Sequence, residues 1–257
     1  MTVYVFSGRV VPERAEVELK SEPFVPFPID LEVDSESLIG KIRVKVSLNV
    51  SQLAVIVETR QEVPEIETLK NLIEQVVRAA VDTYGYLTGR GYDVEITSVV
   101  RPDGQLSLVF GVGILELEKT GPERDRSFND LFELEMESPQ LRQALADLRE
   151  AIRSPLDTGF FCFRAIECLR QAFVDATDGD NRDPSWERLR EALRVDRAWF
   201  KSVETFAVPA RHGRFHSVSS QQRIEMMKRT RNVVARFVEY ARIGFQPLPD
   251  AQYPLLR

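Results

Sequence analysis

The spacing of apolar side chains changes near the middle of the chain. In the first half, short β-branched segments lie between prolines and glycines, and several alternate apolar with polar residues. This period of two is typical of strands with one buried face. In KIRVKVSL (41–48), for example, Ile42, Val44, Val46 and Leu48 all fall on one face. We expect a half-buried antiparallel sheet with strands in VYVFSGRV, EVELK, FPIDLEV, GKIRVKVSL and QLAVIVE.

A helical period then appears at IETLKNLIEQVVRAAVDTYGYLTG (66–89). Ile66, Leu69, Ile73, Val76 or Val77, and Ala80 recur at intervals of three and four, and Gly85 and Gly89 offer stop signals. The segments YDVEITSVV and QLSLVFGVG flank RPDG, whose turn chemistry predicts a hairpin. Residues 1–120 are therefore predicted to form an α+β domain, a mostly antiparallel sheet with one packed helix. Nothing in this half indicates its role.

The second half is predicted to be almost entirely helical. Residues 121–137 are polar and are interpreted as a structureless linker, and residues 246–257 as a C-terminal tail. Between them, residues 138–245 contain five helical segments, the first beginning with Ser138 as N-cap and Pro139 at the first helical position. The second is a long segment over 154–177. The last is SSQQRIEMMKRTRNVVARFVEYARIGF, which has an apolar stripe of Ile224, Met227, Val234, Phe237 and Ala241. Five such helices predict an all-α bundle, whose ligand sites usually form between facing helices.

Composition narrows the class of protein. The 257 residues carry 34 basic and 40 acidic side chains. No apolar run approaches a membrane span, and the N-terminal residues do not resemble a secretory signal. Cys162 and Cys168 lie six positions apart in one predicted helix, on different faces, so a disulfide between them is not expected. We therefore expect a cytoplasmic protein with no membrane partner.

Charge is unevenly distributed along the chain. Residues 201–242 contain nine basic side chains against three acidic ones, and most of the basic ones are arginines. The planar guanidinium suits phosphate recognition, although a solvated helix face has the same composition. Glycine loops for phosphate and a nucleophile elbow are absent from the sequence. His212 and His216 have a metal-ligand spacing, but Arg211 and Arg214 flank them and no carboxylate is nearby. We expect no metal and no cofactor.

The segment RHGRFH (211–216) is the strongest candidate for chemistry. It has an arginine, a polar residue, three further residues and a histidine. This resembles the R-x(4–6)-H signature of the HEPN superfamily of helical domains, with Arg211 as the arginine, His212 at the polar position and His216 as the histidine. The motif falls between the last two predicted helices, where HEPN domains carry it. FRAIECLRQAF (163–173) also resembles the first long helix of bacterial HEPN-like proteins. The resemblance covers residues 138–245.

The resemblance implies a fold and a function. HEPN domains are bundles of four or five helices, and their nucleases commonly pair two domains so that both motifs face one cleft. It therefore implies a homodimer formed through the helical domain, acting on RNA without a metal in a stress, toxin or defence role. Arg211, His216 and His212 would be the catalytic residues, with Glu167 and Arg164 positioned to orient them. An inhibitor partner is not indicated.

The residue chemistry agrees with that expectation. A histidine near its pKa of about 6.5 takes a proton from the 2′-hydroxyl of RNA and returns one to the leaving 5′-oxygen. An arginine gives two hydrogen bonds and a permanent charge to the phosphorane. A full acid and base pair needs His212 or a histidine of a second subunit. We expect further RNA-backbone contacts, which salt would weaken. They would come from Arg214 and from an exposed basic run on the last helix, formed by Arg223, Lys228, Arg229 and Arg231.

Each of these residues also has a structural interpretation. Arg211 is placed to neutralise the carbonyls at the end of a helix, and Glu167 to pair along its own helix. His216 is then a loop residue with satisfied nitrogens, and Arg214 a surface charge. Two other functions stay open: a non-catalytic HEPN-like module that binds RNA, nucleotide or a protein partner, and a helical scaffold for oligomers.

Overall fold

The computed structural model describes residues 1–18, 29–35, 38–111, 113–119, 121–179, 181–212 and 218–257. These residues form two compact units, Met1–Gly111 and Val112–Arg257. The first is an α+β unit and the second is helical, as the change of period in the sequence predicts. No helix among the described residues is long and apolar enough to cross a membrane.

The N-terminal unit is one antiparallel sheet with a helix packed on it. The sheet contains six strands in the order β2-β3-β4-β1-β5-β6, and each neighbouring pair is antiparallel. The elements along the chain are β1 (Thr2–Val11), β2 (Ile29–Ser35), β3 (Leu38–Asn49), β4 (Gln52–Thr59), α1 (Ile66–Thr88), β5 (Asp93–Val100) and β6 (Ser107–Val109). The strand expected in EVELK (16–20) is wrong over Glu16–Glu18, which have no regular structure; residues 19 and 20 lie outside the described ranges.

The core of this unit lies between α1 and one face of the sheet. Of the four apolar positions predicted in β3, Ile42, Val44 and Leu48 are buried and Val46 packs against them in part. In α1 the buried stripe is Leu69, Ile73, Val77 and Val81. The expectation for Ala80 is wrong. The buried apolar residues of α1 follow one another at intervals of four, so Val81 takes the buried position and Ala80 is exposed.

A tight turn between β3 and β4 is fixed by side-chain hydrogen bonding. Val50 and Ser51 both have positive φ, of 48° and 62°, as a two-residue hairpin turn of the primed type requires. The buried Ser51 hydroxyl accepts a hydrogen bond from the Val17 amide at 2.9 Å. The Ser51 amide donates to the Val17 carbonyl at 2.8 Å. The turn is therefore tied to the segment that follows β1.

The C-terminal unit is all-helical in its described part. It contains α2 (Gly121–Glu137), α3 (Pro139–Arg153), α4 (Thr158–Arg170), α5 (Asp183–Leu193), α6 (Arg197–Arg211) and α7 (Ser220–Arg242). The predicted start of α3 is confirmed, since the Ser138 hydroxyl accepts from the Leu141 amide at 3.2 Å and Pro139 follows. In α7, Met227, Val234, Phe237 and Ala241 are buried as the apolar stripe predicts.

Two expectations for this unit are wrong. The supposed linker 121–137 is helix α2, whose Leu131 and Leu134 pack on the core although charged residues surround them. The long helix expected over 154–177 starts at Thr158, ends at Arg170 and is followed by two 3-10 turns. The C-terminal tail, residues 246–257, packs back on the bundle. Leu248 is buried, and Leu256 exchanges backbone hydrogen bonds with Arg194 and Asp196.

The buried Arg236 side chain fastens this C-terminal segment. Its Nη2 donates to the Pro254 carbonyl at 2.6 Å, and its Nη1 donates to the Leu193 carbonyl at 3.1 Å. The guanidinium also lies 5.4 Å from the centre of the Tyr253 ring. Burial lowers the pKa of Arg236. One cation therefore connects α7, the end of α5 and the returning C-terminal segment.

Candidate functional site

The RHGRFH segment lies between two well-defined helix ends, as predicted. Arg211 is the last residue of α6, and the His212 amide donates to the Val208 and Pro209 carbonyls, both at 3.2 Å. Ser219 begins α7 with a capping box, in which its hydroxyl accepts from the Gln222 amide and its amide donates to the Gln222 side chain. Helix starts of this kind are stabilised because orphan amides find partners. The ends of α6 and α7 thus delimit the segment.

The predicted site residues Arg214 and His216 lie outside the described residues. His212 is exposed at the end of α6, and its imidazole has no hydrogen-bond partner in the described part of the chain. It is therefore open to solvent at the first position of the connection to α7.

Arg211 and Glu167 form an ion pair, which brings two of the predicted site residues together. Arg211 Nη2 lies 3.1 Å from Glu167 Oε2, and their side chains are 49% and 19% exposed. Glu167 is in the last turn but one of α4. Because Nη2 alone is engaged by Glu167, the remaining donors of this half-exposed guanidinium face no described partner. The pair joins the end of α6 to α4.

Close packing of α4 on α6 accompanies this ion pair. A Cβ placed on Gly159 would lie only 2.7 Å from the Phe206 Cβ and 2.9 Å from the Phe206 carbonyl oxygen. A glycine at the start of α4 therefore allows the two backbones to approach. Substitution there would push α6, and with it Arg211, away from α4.

Arg164 is one turn before Glu167 on α4 but is paired elsewhere. Its Nε donates to Asp147 Oδ1 of α3 at 3.0 Å. Sequence reasoning placed Arg164 beside the motif residues and missed Asp147 altogether. The available signal was an acidic residue on the buried stripe of α3, which Leu141, Ala144 and Ala151 define. The structure therefore adds a buried carboxylate to the α4 surface.

Of the basic run predicted on α7, Arg223 is half-buried and bound within the fold. Its Nε donates to the Thr158 hydroxyl at 2.9 Å, and its Nη2 donates to the Ile152 carbonyl at 3.1 Å. A further, longer bond reaches the Ala151 carbonyl at 3.4 Å. Arg223 therefore donates to backbone carbonyls at the end of α3. The last carbonyls of every helix have no hydrogen-bond partner within the helix. The expectation that Arg223 is an exposed residue is wrong.

The other three members of the run differ in exposure. Arg229 is half-buried: its Nε lies 2.7 Å from Glu225 Oε1 and its guanidinium 4.7 Å from the centre of the Trp199 ring. Arg231 is half-buried, and burial lowers its pKa. Only Lys228 is exposed. The expected exposed run thus reduces to Lys228 among its described members, while a role of these residues in RNA binding stays a prediction.

An open cleft of about 290 Å³ lies elsewhere in the same unit, between the end of α5 and the start of α6. Its lining mixes both signs of charge, with Arg190 and Arg197 beside Glu191 and Asp196. No group of three or more potential metal ligands occurs in the ranges that the structure describes.

Two matches to family models place the chain in a family. Residues 4–110 match the N-terminal domain, and residues 129–242 the C-terminal domain, of a domain of unknown function, DUF8168. The two matches fall within the α+β and helical units and agree with the division of the fold. Neither the curated proteins nor the solved structures contain a match. The chain therefore belongs to the DUF8168 family and contains both of its domains.

Proposed function

We propose that the C-terminal unit is an endoribonuclease of the HEPN type that cleaves RNA without a metal ion. The observation that carries this proposal is the Arg211–Glu167 ion pair. It fixes a half-exposed guanidinium at the end of α6, where the connection that contains His216 begins. A cation held in place before substrate arrives stabilises the developing charge of a phosphorane without reorganisation.

In the proposed reaction, a histidine takes the proton of the 2′-hydroxyl, and that oxygen attacks the adjacent phosphorus. The bond from phosphorus to the 5′-oxygen breaks, and the 5′-oxygen receives a proton from a second histidine or from the first after exchange. The products are a 2′,3′-cyclic phosphate and a 5′-hydroxyl. His216 and the exposed His212 are the candidates for proton transfer, and Arg211 stabilises the phosphorane. A homodimer formed through the helical domain would supply a second set of these histidines and this arginine.

A second candidate function is supported by the same ion pair. Glu167 keeps a negative charge 3.1 Å from Arg211, which weakens the attraction of this arginine for phosphate. A HEPN-like module that binds RNA without cleaving it would tolerate such a contact. This module retains the binding surface and lacks only the proton transfers.

Cleavage of labelled single-stranded RNA in the presence of EDTA tests the proposal. We expect the wild-type protein to produce ends with a 2′,3′-cyclic phosphate, and Arg211→Gln to reduce the rate by about 100-fold or more. His216→Gln should have a comparable effect, because the proton transfers are lost.

Arg242→Gln is the matched control. Arg242 is likewise the last residue of a helix, and its Nη2 lies 3.1 Å from a carboxylate oxygen, of Asp130. Its loss should leave the rate within about twofold, as for surface changes remote from chemistry. Equal rates for Arg211→Gln and wild type would overturn the assignment. RNA that is bound but intact would favour the non-catalytic module.

A further inference from the structure

The surface of α4 next to the Arg211–Glu167 pair carries a second fixed arginine. Arg164 and Glu167 are three residues apart on α4, so they are neighbours on the helix surface, about one turn from each other. The Arg164 side chain is 39% exposed. Its Nη1 has no hydrogen-bond partner in the described part of the chain. A free donor edge of a guanidinium thus lies beside the proposed catalytic pair.

The other edge of Arg164 is held by a carboxylate that water does not reach. Asp147 is fully buried, and its Oδ1 accepts hydrogen bonds from both Nε and Nη2 of Arg164. These hydrogen bonds with Asp147 are the main cause of the raised pKa of Arg164. Because two donors share one acceptor, the guanidinium plane is fixed and its unpaired edge points away from Asp147.

Further donors satisfy the buried carboxylate. Gln143 Nε2 donates to Asp147 Oδ1 at 3.2 Å, and the Cys168 thiol donates to Oδ2 at 3.5 Å. Burial, followed by the charge of Asp147, raises the pKa of Cys168 to about 11, which keeps the proton on sulfur. A buried carboxylate with this many partners is well compensated. Asp147 is therefore a fixed support for Arg164.

Two aromatic rings complete the surroundings of Arg164. The guanidinium lies 5.4 Å from the ring centre of Phe160 and 5.0 Å from that of Phe161. Both phenylalanines are half-buried and pack edge to face. Aromatic rings next to a cationic groove are the common means of binding unpaired bases, since every base has a face that stacks.

We propose that Arg164, positioned by Asp147, binds a phosphate next to the scissile one, and that the substrate is single-stranded RNA whose neighbouring base stacks at Phe160. This inference rests on the proposed function, in which Arg211 contacts the scissile phosphate. Arg164 is a binding residue and Asp147 a positioning residue. Their loss weakens substrate binding and leaves the chemical step unchanged.

The test needs variants that do not leave a buried charged group without an oppositely charged partner. Arg164→Gln alone would leave Asp147 buried without its counter-charge. The double variant Asp147→Asn with Arg164→Gln replaces the ion pair with a neutral amide pair of similar size. Arg164→Lys keeps the charge and loses the fork, and Arg242→Gln again serves as the matched control. Circular dichroism and thermal melting establish that each protein is folded.

Binding is measured on a fluorescent oligouridine with 2′-O-methyl groups, which the 2′-hydroxyl reaction cannot cleave. We expect the double variant to bind about 10-fold more weakly, and its log–log salt dependence to be shallower by about 0.7, the value of one phosphate contact on a single strand. Asp147→Asn alone should weaken binding less and keep the wild-type salt dependence, because the cation is still present. In cleavage assays the double variant should raise KM and keep kcat within about twofold.

The outcomes separate this inference from the proposed function. A folded double variant with wild-type affinity and salt dependence overturns the role of Arg164, even where Arg211→Gln abolishes cleavage. Failure of the wild type to cleave any RNA overturns the nuclease, and the oligouridine measurement still decides the binding role of Arg164. Equal affinity for single-stranded and duplex RNA contradicts the stacking at Phe160, and no binding at low salt overturns the inference entirely.

Discussion

The two units of this chain use charged side chains in different ways. In the described part of the N-terminal unit, Glu74 is the buried charged residue, and it is paired with Lys70 and Arg78 along its own helix. In the C-terminal unit, Asp147, Arg170 and Arg236 are buried, and each contacts another element of the fold. A sheet satisfies its backbone through its neighbouring strands, whereas each helix leaves carbonyls at its end that need other donors.

This difference changes what an arginine-rich composition means. Arg170 donates to the Ser185 hydroxyl at 2.6 Å, Arg223 bonds carbonyls at the end of α3, and Arg236 bonds carbonyls at the end of α5. These arginines connect helices and are not available to a ligand. The arginines that remain candidates for RNA in the described bundle, Arg164 and Arg211, combine a carboxylate partner with an exposed side. Arg188 and Arg242 also pair with carboxylates and are about as exposed, so it is their position on α4 and at the end of α6, beside the RHGRFH segment, that distinguishes Arg164 and Arg211.

The comparison of the two units predicts the largest loss of stability for a substitution at Arg223. Arg223→Met removes the hydrogen bonds to Thr158 and to the end of α3, so we expect the free energy of unfolding of the helical unit to fall by about 2 kcal/mol. Hydrogen exchange in the full chain measures this change unit by unit. Lys228→Met, on the same helix and exposed, should change stability by no more than about 0.5 kcal/mol. Equal effects of the two substitutions would contradict a structural role for Arg223.

A smaller effect is expected in the N-terminal unit. Ser51→Ala removes the hydroxyl that accepts from the buried Val17 amide and should cost about 1 to 2 kcal/mol, because that donor loses its partner. Faster hydrogen exchange should appear in β3, β4 and the residues around Val17. Ser47→Ala, at an exposed position of β3, is the control and should leave exchange unchanged. A wild-type exchange pattern in Ser51→Ala would show that the turn does not depend on this bond.

The smallest expected effect on stability at neutral pH concerns the two thiols of α4, whose reactivity is nevertheless informative. Burial is the main cause that raises the pKa of Cys162 to about 12 and that of Cys168 to about 11, against an ordinary value of 9.0. At pH 8 we expect iodoacetamide to label Cys168 about 100-fold more slowly in the folded protein than in guanidinium, since the thiolate is the nucleophile. Labelling is followed by mass spectrometry of the peptide.

These raised pKa values also set a direction for stability. The unfolded chain releases its thiol protons first, near pH 9, while the folded protein keeps them to about pH 11 or 12. The contribution of these thiols to the free energy of unfolding should therefore be constant below about pH 9 and should fall as the pH rises above it. Cys168→Ala should make this decline less steep. Rapid labelling at pH 8 would show that the thiols are not protected.

The sequence predicted those parts of the fold that depend on residues close together in the chain, such as alternating strands and helix caps. The alternation in β3 and the cap at Ser138 follow from neighbouring residues, and both are confirmed. Helix α2 was missed because its charged residues outnumber Leu131 and Leu134, which pack on the core. The position of RHGRFH between two helices was predictable, since caps and the apolar stripe of α7 flank it.

The contacts of the site were harder to predict because they join distant parts of the chain. The Arg223 guanidinium finds Thr158 65 residues away, and nothing near Arg223 in the sequence indicates that partner. Asp147 similarly looks like an ordinary acidic residue within LADLRE, and only the packing of α4 on α3 makes it a buried partner of Arg164. The pairing of Arg211 with Glu167 was expected only through the family resemblance.

The hydrogen bonds of Arg236 with the end of α5 and the C-terminal segment have a consequence for the order of events during protein synthesis. A ribosome releases α5, α6 and α7 before residues 246–257, so the acceptor at Pro254 and the backbone partner at Leu256 reach the bundle last. Until they do, the end of α5 and the start of α6 lack hydrogen bonds that the complete bundle has. The bundle therefore acquires its last cross-element hydrogen bonds after α7 has been synthesised, when the segment that contains Pro254 and Leu256 emerges.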